Sequence, residues 1–451
     1  MQELVIKKRG FTMRPTSTRS TRRRLVVASV VALSLAAAAC GSDDDASSSD
    51  TTADSSAAAP ADSTADTTAE APADTTAGTT ADTTGDSTAS GGAEGGVSEE
   101  KLAELQAEVD AAAEAPEFAP QGPAFDVSSL AGKKIFSMPV ASSLTGCDNM
   151  AQWVVGIAQS VGMEDSFYYQ NDGGPQAWQA GMEQAINGGY DGVALVCGID
   201  PNALTPQMEQ AREMGISVVD MHLADVSVPA DPLIAGQTNG EFNKSMRMGV
   251  YTALINSGGE PIDVFMITAN ENPPSVGMEQ EVQDVLAELC TACTFSSQNV
   301  PIPDFFGGAG QSTIDAALVA NPDLDAVFLS YDFMAPVVEG SIKANGSDAK
   351  IYGFGGDFPV VSTMTAPDSA MGTDMGPDFL WMAYSGADQL FRAMTGEPVI
   401  PSDEAFAPYR LWTSENAGEK GEEPGAGFGD AFLQGYYDLW TNHPATEPYT
   451  P

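Results

Sequence analysis

The sequence predicts an α/β protein built as two doubly wound parallel-sheet lobes. From residue 125 onward, short apolar runs alternate with amphipathic stretches of helical spacing, and this alternation restarts at residue 262. Strand-helix alternation gives parallel sheets with helices on both faces. The part able to fold, about 325 residues, is long for one core and suits two.

The elements before that body come first. Residues 1–39 read as a secretory leader. Arg22, Arg23 and Arg24 precede a 15-residue apolar run, Leu25 to Ala39, which ends in small residues. A spanning helix needs roughly 20 residues, and the charged start, apolar middle and small-residue end are those of a signal peptide. Met13 would give a more typical leader than Met1. Cys40 directly follows Ala37, Ala38 and Ala39. This arrangement resembles the lipobox of bacterial lipoproteins, with Ala37 in the place of the usual Leu. The resemblance implies cleavage before Cys40 and its lipidation. An ordinary signal peptide with an incidental cysteine is the alternative.

Residues 41–96 contain only Gly, Ser, Asp, Thr, Ala, Pro and Glu, with 12 acids and no Lys or Arg. Such a stretch cannot bury enough apolar area to offset its ordering entropy, so 40–97 is expected to be a disordered acidic tether. As a flexible coil it would span roughly 40 Å. Two or more acyl chains give stable anchoring, and the tether would let a body stand clear of the membrane.

Charge narrows the partners. The leader holds 8 of the 19 Lys and Arg and 1 of the 63 Asp and Glu, leaving 11 basic against 62 acidic residues, a net of −51. Nucleic-acid binding needs basic patches that displace counterions, and attachment to anionic lipid by charge needs the same. Neither fits.

Residues 98–124 are expected to form a helical stalk and a Pro-rich linker. Ser98 can cap a helix over 98–115, with Glu99 and Glu100 in its first turn and Leu102, Leu105 and Val109 on one face. The first lobe is then expected over 125–258, with strands in "KKIFSMPV", "SFYYQ", "DGVALVC" and "ISVVDM". The second is expected over 259–371, with strands in "IDVFMIT", "DAVFLS" and "KIYGFGG". A segment near 372–396 should return to the first lobe, and 397–451 should pack on both as a C-terminal extension.

"MEQAINGGYDGVALVCGID", "AREMGISVVDM", "LDAVFLSYDFMAPVVEGSIKANG" and "KIYGFGGD" together resemble the type I periplasmic binding proteins. They are similar to the ribose-binding and related sugar-binding members that serve ABC importers. The resemblance covers about 125 to 415. It implies two lobes joined by a hinge that closes on one solute and delivers it to ABC permease subunits, the receptor being a monomer. The same lobes occur in lactose-repressor-type regulators, but no helix-turn-helix precedes them here. In the family's ligand positions, Asp332 and Asn239 are retained, and an aromatic is kept as Phe305 or Phe306. Thr238 stands in an Asp place, Cys197 in an Asn place, and "TANENPPSVG" has no Arg. A ribose-like specificity is therefore not implied.

Ligands of doubly wound sheets bind outside the carboxyl ends of the strands. Those ends offer Ser143, Asp148, Asn149, Asp172, Cys197, Asp200, His222, Gln237 and Asn239 from the first lobe. The second offers Asn270, Phe305, Asp332, Asp357 and Asp374. Each residue type is also a common cap or turn former. Carboxylates and amides pair with hydroxyls, and aromatics offer apolar faces. No Lys or Arg occurs at these ends, which disfavours an anion and suits a neutral polyol or a cation.

An enzyme is not indicated. The chain has two histidines, His222 and His443, and lacks GxSxG, Walker and HExxH motifs. "FGGAGQS" lacks a phosphate-loop lysine and reads as a turn before a helix. Cys290-x2-Cys293 has no second ligand pair, so neither metal nor cofactor is expected. The four cysteines beyond Cys40 suit an exported protein. A sheet order of 2-1-3 makes strands one and three neighbours, which favours a Cys147–Cys197 disulfide. Cys290 and Cys293 are close enough in sequence to pair in the turn before the next strand, with free buried thiols as the alternative for all four. The function expected is an extracytoplasmic solute receptor, lipid-anchored to the outer face of the cell membrane, for a sugar or polyol importer. A sensor input for a signalling protein and a receptor for a cationic solute are the alternatives.

Overall fold

The computed structural model describes residues 95–451. The leader, Cys40 and nearly all of the expected tether lie outside the described residues.

Helix α1 (Glu99–Ala113) is followed by the short strand β1 (Phe125–Asp126). The first sheet is built by β2 (Ile135–Pro139), α2 (Thr145–Ser160), β3 (Phe167–Tyr168), α3 (Pro175–Asn187), β4 (Gly192–Val196), α4 (Thr205–Glu213), β5 (Ser217–Asp225) and β6 (Gly236–Gly240). Its strands are parallel in the order β3-β2-β4-β5-β6, so the first three take the expected 2-1-3 arrangement. β2 and β4 are buried along their whole length, as strands covered on both faces must be.

The second sheet follows from α5 (Phe242–Asn256), β7 (Asp263–Thr268), α6 (Pro274–Leu289), β8 (Thr294–Asn299), the single turn α7 (Ile302–Asp304), α8 (Gly310–Ala320), β9 (Ala326–Leu329), α9 (Ala335–Asn345), β10 (Lys350–Phe354), α10 (Phe358–Val361) and β11 (Met371–Pro377). α11 (Phe379–Thr395) returns to the first lobe and packs on β5, β6 and α2. Asp378 caps it, its Oδ1 accepting from Trp381 N at 2.8 Å, and Gly396 ends it at φ 80°. β12 (Tyr409–Trp412) then crosses back as an antiparallel edge on β11, giving the order β12-β11-β10-β9-β7-β8. α12 (Ala431–Leu439) packs on α11, and β13 (Trp440–Thr441) pairs with β1.

Three segments differ from expectation. α5 packs against β10 and β11, so the first crossing between lobes falls at residues 240–242 and not at 258. β11 belongs to the second sheet, so only α11 returns to the first. The C-terminal extension supplies β12 to the second sheet, and its β13 pairs with β1 in a separate two-stranded sheet. "FGGAGQS" is a kinked helical lead into α8, with Gly308 at φ 107°.

α1 is no stalk. It lies on α5 and β12 with Leu105 and Val109 buried, and Val97 N donates to Gly259 O at 2.9 Å. The linker after it runs to the first lobe. The Phe118 ring packs 6.0 Å from Trp381 and 5.2 Å from Tyr436. Gln121 donates to Phe406 O at 2.7 Å, and Arg392 donates to Pro123 O at 3.0 Å. Residues 98–124 are thus a strap tying the lobes together. Leu105→Ala should cost about 2–5 kcal/mol in chemical denaturation, the range for a buried leucine. A shift under about 0.5 kcal/mol, as at exposed sites, would mean that the helix is undocked.

Candidate ligand cleft

At the carboxyl end of the second sheet, Asp332 follows β9 and Asp374 lies on β11, with β10 between them. β10 and the turn after it read "KIYGFGGD". A Cβ on Gly355 would lie 2.2 Å from Asp332 Cγ, and one on Gly353 would lie 3.4 Å from Asp374 Oδ1. The glycines leave room for the two carboxyl groups to meet above β10. The turn then donates to both. Asp357 N–H gives a 2.9 Å bond to Asp332 Oδ2, and Gly356 N–H a 3.0 Å bond to Asp374 Oδ2.

Both side chains are buried. Burial, followed by the charges of Asp374 and Asp357, holds Asp332 well above the carboxylate range. Burial likewise pushes Asp374 up to about 7. Two like charges in a dry site cannot both ionise readily, so the pair titrates as a unit and still holds a proton as pH passes about 7. Among the described residues no N–H or O–H donor reaches Asp374 Oδ1, which leaves it free to accept from a proton on Asp332. A pair with one proton both donates and accepts, as a hydroxyl does.

Aromatic rings run from this pair to the first lobe. Phe306 is 60% exposed and packs 6.0 Å from Phe333, which stacks on Tyr331 at 5.4 Å. Tyr331 touches Phe354, which packs on Phe242 at 4.9 Å and Tyr409 at 5.7 Å. His222, at φ 67° on the first-lobe strand β5, stacks on Phe242 at 4.6 Å. Its Nε2 is 2.9 Å from Tyr409 Oη. Burial lowers its pKa to about 3, so the ring is neutral. A Cβ on Gly240 would lie 2.1 Å from Tyr409 Oη, so glycine is needed where the chain first crosses.

The other sequence candidates divide. Gln237 and Asn239 are buried and bonded to each other; Asn239 also donates to Asp225 O and Val228 O, and Gln237 accepts from Asp231 N. Their polar groups hold the 225–231 loop. Cys197 is joined to Cys147, and Cys290 to Cys293. Asp148 accepts from Tyr168 Oη. Ser143 and Asp172 are exposed, and Asn149 is half-buried. Asp200 caps the turn at 201–204 by accepting from Asn202 N. Asn270 and Asp357 are exposed. Phe305 is buried in the core, so Phe306 presents the accessible ring. Asp332 makes no capping bond to α9.

The expected lack of basic residues at the strand ends does not hold. Lys420, in the loop after β12, sits over the rings of Trp412 at 5.4 Å and Phe428 at 5.5 Å. Trp412 is the cross-strand partner of Asp374. Among the described residues no group of three or more His, Cys, Asp or Glu is arranged to hold a metal.

Residues 136–398 match the model of the periplasmic binding protein domain family, and the chain belongs to that family. Its members are binding proteins of transport systems and not enzymes. No curated protein matches the chain. Solved structures share the fold. An ABC sugar transporter subunit from Rhodobacter sphaeroides is 17% identical, covering 64% of this chain and 100% of its own, with a TM-score of 0.54. A solute-binding protein from Mycobacterium smegmatis with bound glycerol is 18% identical (65% and 98% covered, TM-score 0.53). A carbohydrate transporter from Acidothermus cellulolyticus with myo-inositol is 19% identical (63% and 96% covered, TM-score 0.51).

The raised carboxyl pair has a consequence for stability. The folded state keeps a proton that the unfolded chain releases near the ordinary aspartate value. Stability is therefore full below the ordinary aspartate range, falls as pH rises to about 7 through Asp374, and keeps falling above it while Asp332 retains its proton. Asp374→Asn should flatten the melting temperature over that window. An unchanged slope would show that Asp374 ionises normally.

Proposed function

We propose that the chain is the extracytoplasmic receptor of an ABC importer and captures a small sugar or polyol between its lobes. The carboxyl pair at Asp332 and Asp374 carries this reading, because a group that both donates and accepts matches a hydroxyl. Asp357 adds an exposed carboxylate beside it. Phe306, Phe333 and Tyr331 offer faces against which the C–H side of a sugar ring packs. Opening at the hinge gives the solute access to the pair. Relatives of the same fold hold glycerol and myo-inositol, which supports a hydroxyl-rich ligand. Lipidated Cys40 and the acidic segment after it tether the receptor to the outer face of the membrane.

A thermal-shift screen over sugars, polyols, amines and amino acids tests the ligand class. A hydroxyl ligand at about 100 times its Kd should stabilise the protein by about 2.7 kcal/mol. Asp332→Ala should weaken that ligand roughly 10- to 150-fold, since hydrogen bonds to charged groups contribute about 1.5–3 kcal/mol. A response to amines alone would replace the polyol reading with a cationic solute. Fatty-acid labelling of the full chain should require Cys40, and an unlabelled wild type would refute the anchor.

A further inference from the structure

We propose that Lys420 is a specificity-determining residue: its ammonium is the counter-charge of the carboxylate cluster at the second-lobe strand ends and makes the cleft select uncharged hydroxyl ligands over cations. The inference rests on the polyol reading and adds a residue from outside the family-matched segment, which ends at residue 398.

The loop carrying Lys420 is firmly held. Arg410 pairs with Glu419 at 2.7 Å and donates to Gly427 O. Gly425 N–H donates to Asp378 Oδ2 at 2.7 Å, and Asn416 donates to Leu411 O and Ala113 O. These contacts set the Lys420 stem against Trp412 and Phe428. The ammonium sits over Trp412, the cross-strand partner of Asp374, and the acids whose charge acts on it are Asp378, Asp357, Asp374 and Asp332. Arg410 and Glu419 pair with each other, and the Arg410 guanidinium stacks on Trp412 at 4.7 Å.

Among the described residues no carboxylate lies within 4.0 Å of the ammonium. It therefore acts on the cluster as a field and not as a partner in one ion pair. Among the described residues no N–H or O–H donor reaches Asp374 Oδ1, and the buried Trp412 Nε1 finds no acceptor. Acid-rich walls alone would draw a cation. With one proton on the Asp332–Asp374 pair and one ammonium beside it, the excess negative charge is small. A ligand bearing its own ammonium would meet Lys420 as a like charge, whereas a hydroxyl would not.

Removing the ammonium should raise the carboxyl pKa values further. Stability would then fall further with pH than in wild type, while below the carboxylate range the clustered acids are neutral and Lys420 contributes only packing. The deficit in melting temperature of Lys420→Met against wild type should therefore widen by about 3 °C between about pH 4 and about pH 8. Lys420→Arg should largely abolish the widening. A deficit that is constant with pH would show packing alone and overturn the charge role. The selectivity is read with glycerol and its cationic analogue serinol. Serinol should raise the melting temperature of Lys420→Met more than that of wild type, and glycerol should not distinguish them. Equal serinol shifts would overturn the selectivity. The melts need no ligand, so failure of the polyol reading is recognised separately, by a wild type that no sugar or polyol stabilises.

Discussion

The meeting of Asp332 and Asp374 above a strand of glycines is the constraint on which the carboxyl end of the second sheet depends. A side chain at Gly355 would occupy the space of the Asp332 carboxyl group. With none there, the turn at 355–357 folds so that successive N–H groups reach one carboxylate each. The bonds fix β9, β10 and β11 relative to one another at their carboxyl ends. Desolvation is the main cost, and a shared proton lowers it by leaving one net charge on two acids. Stability at this end of the sheet is thereby traded for a polar group that can pair with hydroxyls in either sense.

The lobes are joined where that end meets the first sheet. The chain crosses after β6, after β11 and before β12, and His222 packs against a ring beside each crossing: Phe242, Phe379 and Tyr409. A neutral histidine suits this place, because a charge there would be buried among rings. The strap at 98–124 and the loop after β12 add ties to those crossings. Any hinge motion must bend the strap or slide Phe118 from its seat between Trp381 and Tyr436. The segment that follows the expected tether therefore reaches both lobes, through α1 on the second and Phe118 on the first.

Much of this was legible in the sequence. Apolar runs such as "DGVALVC" and "DAVFLS" mark strands covered on both faces, and the strand order they imply placed Cys147 beside Cys197. Other parts were hidden for physical reasons. β6 reads "GQTNG", which has no apolar signal; its amides are satisfied by a loop and by residues 400–406, contacts that no local pattern reveals. β11 carries Asp374 for the carboxyl pair, Gly376 where the 355–356 turn passes close, and Gly372 against the Tyr352 ring. α1 is amphipathic, but periodicity does not say what its apolar face meets. Lys420 lies 46 residues beyond Asp374 in sequence and reaches it only through the antiparallel pairing of β11 and β12. Asp332 was visible through its motif, whereas its partnership with Asp374 required the sheet order.

The carboxyl pair can be observed directly by following side-chain carboxyl carbons of aspartate by NMR as pH is raised. The account predicts one aspartate titrating near the value of about 7 reached by Asp374, absent from Asp374→Asn, and moving when a polyol binds. Aspartates that all titrate in the ordinary carboxylate range, about 4, would contradict it.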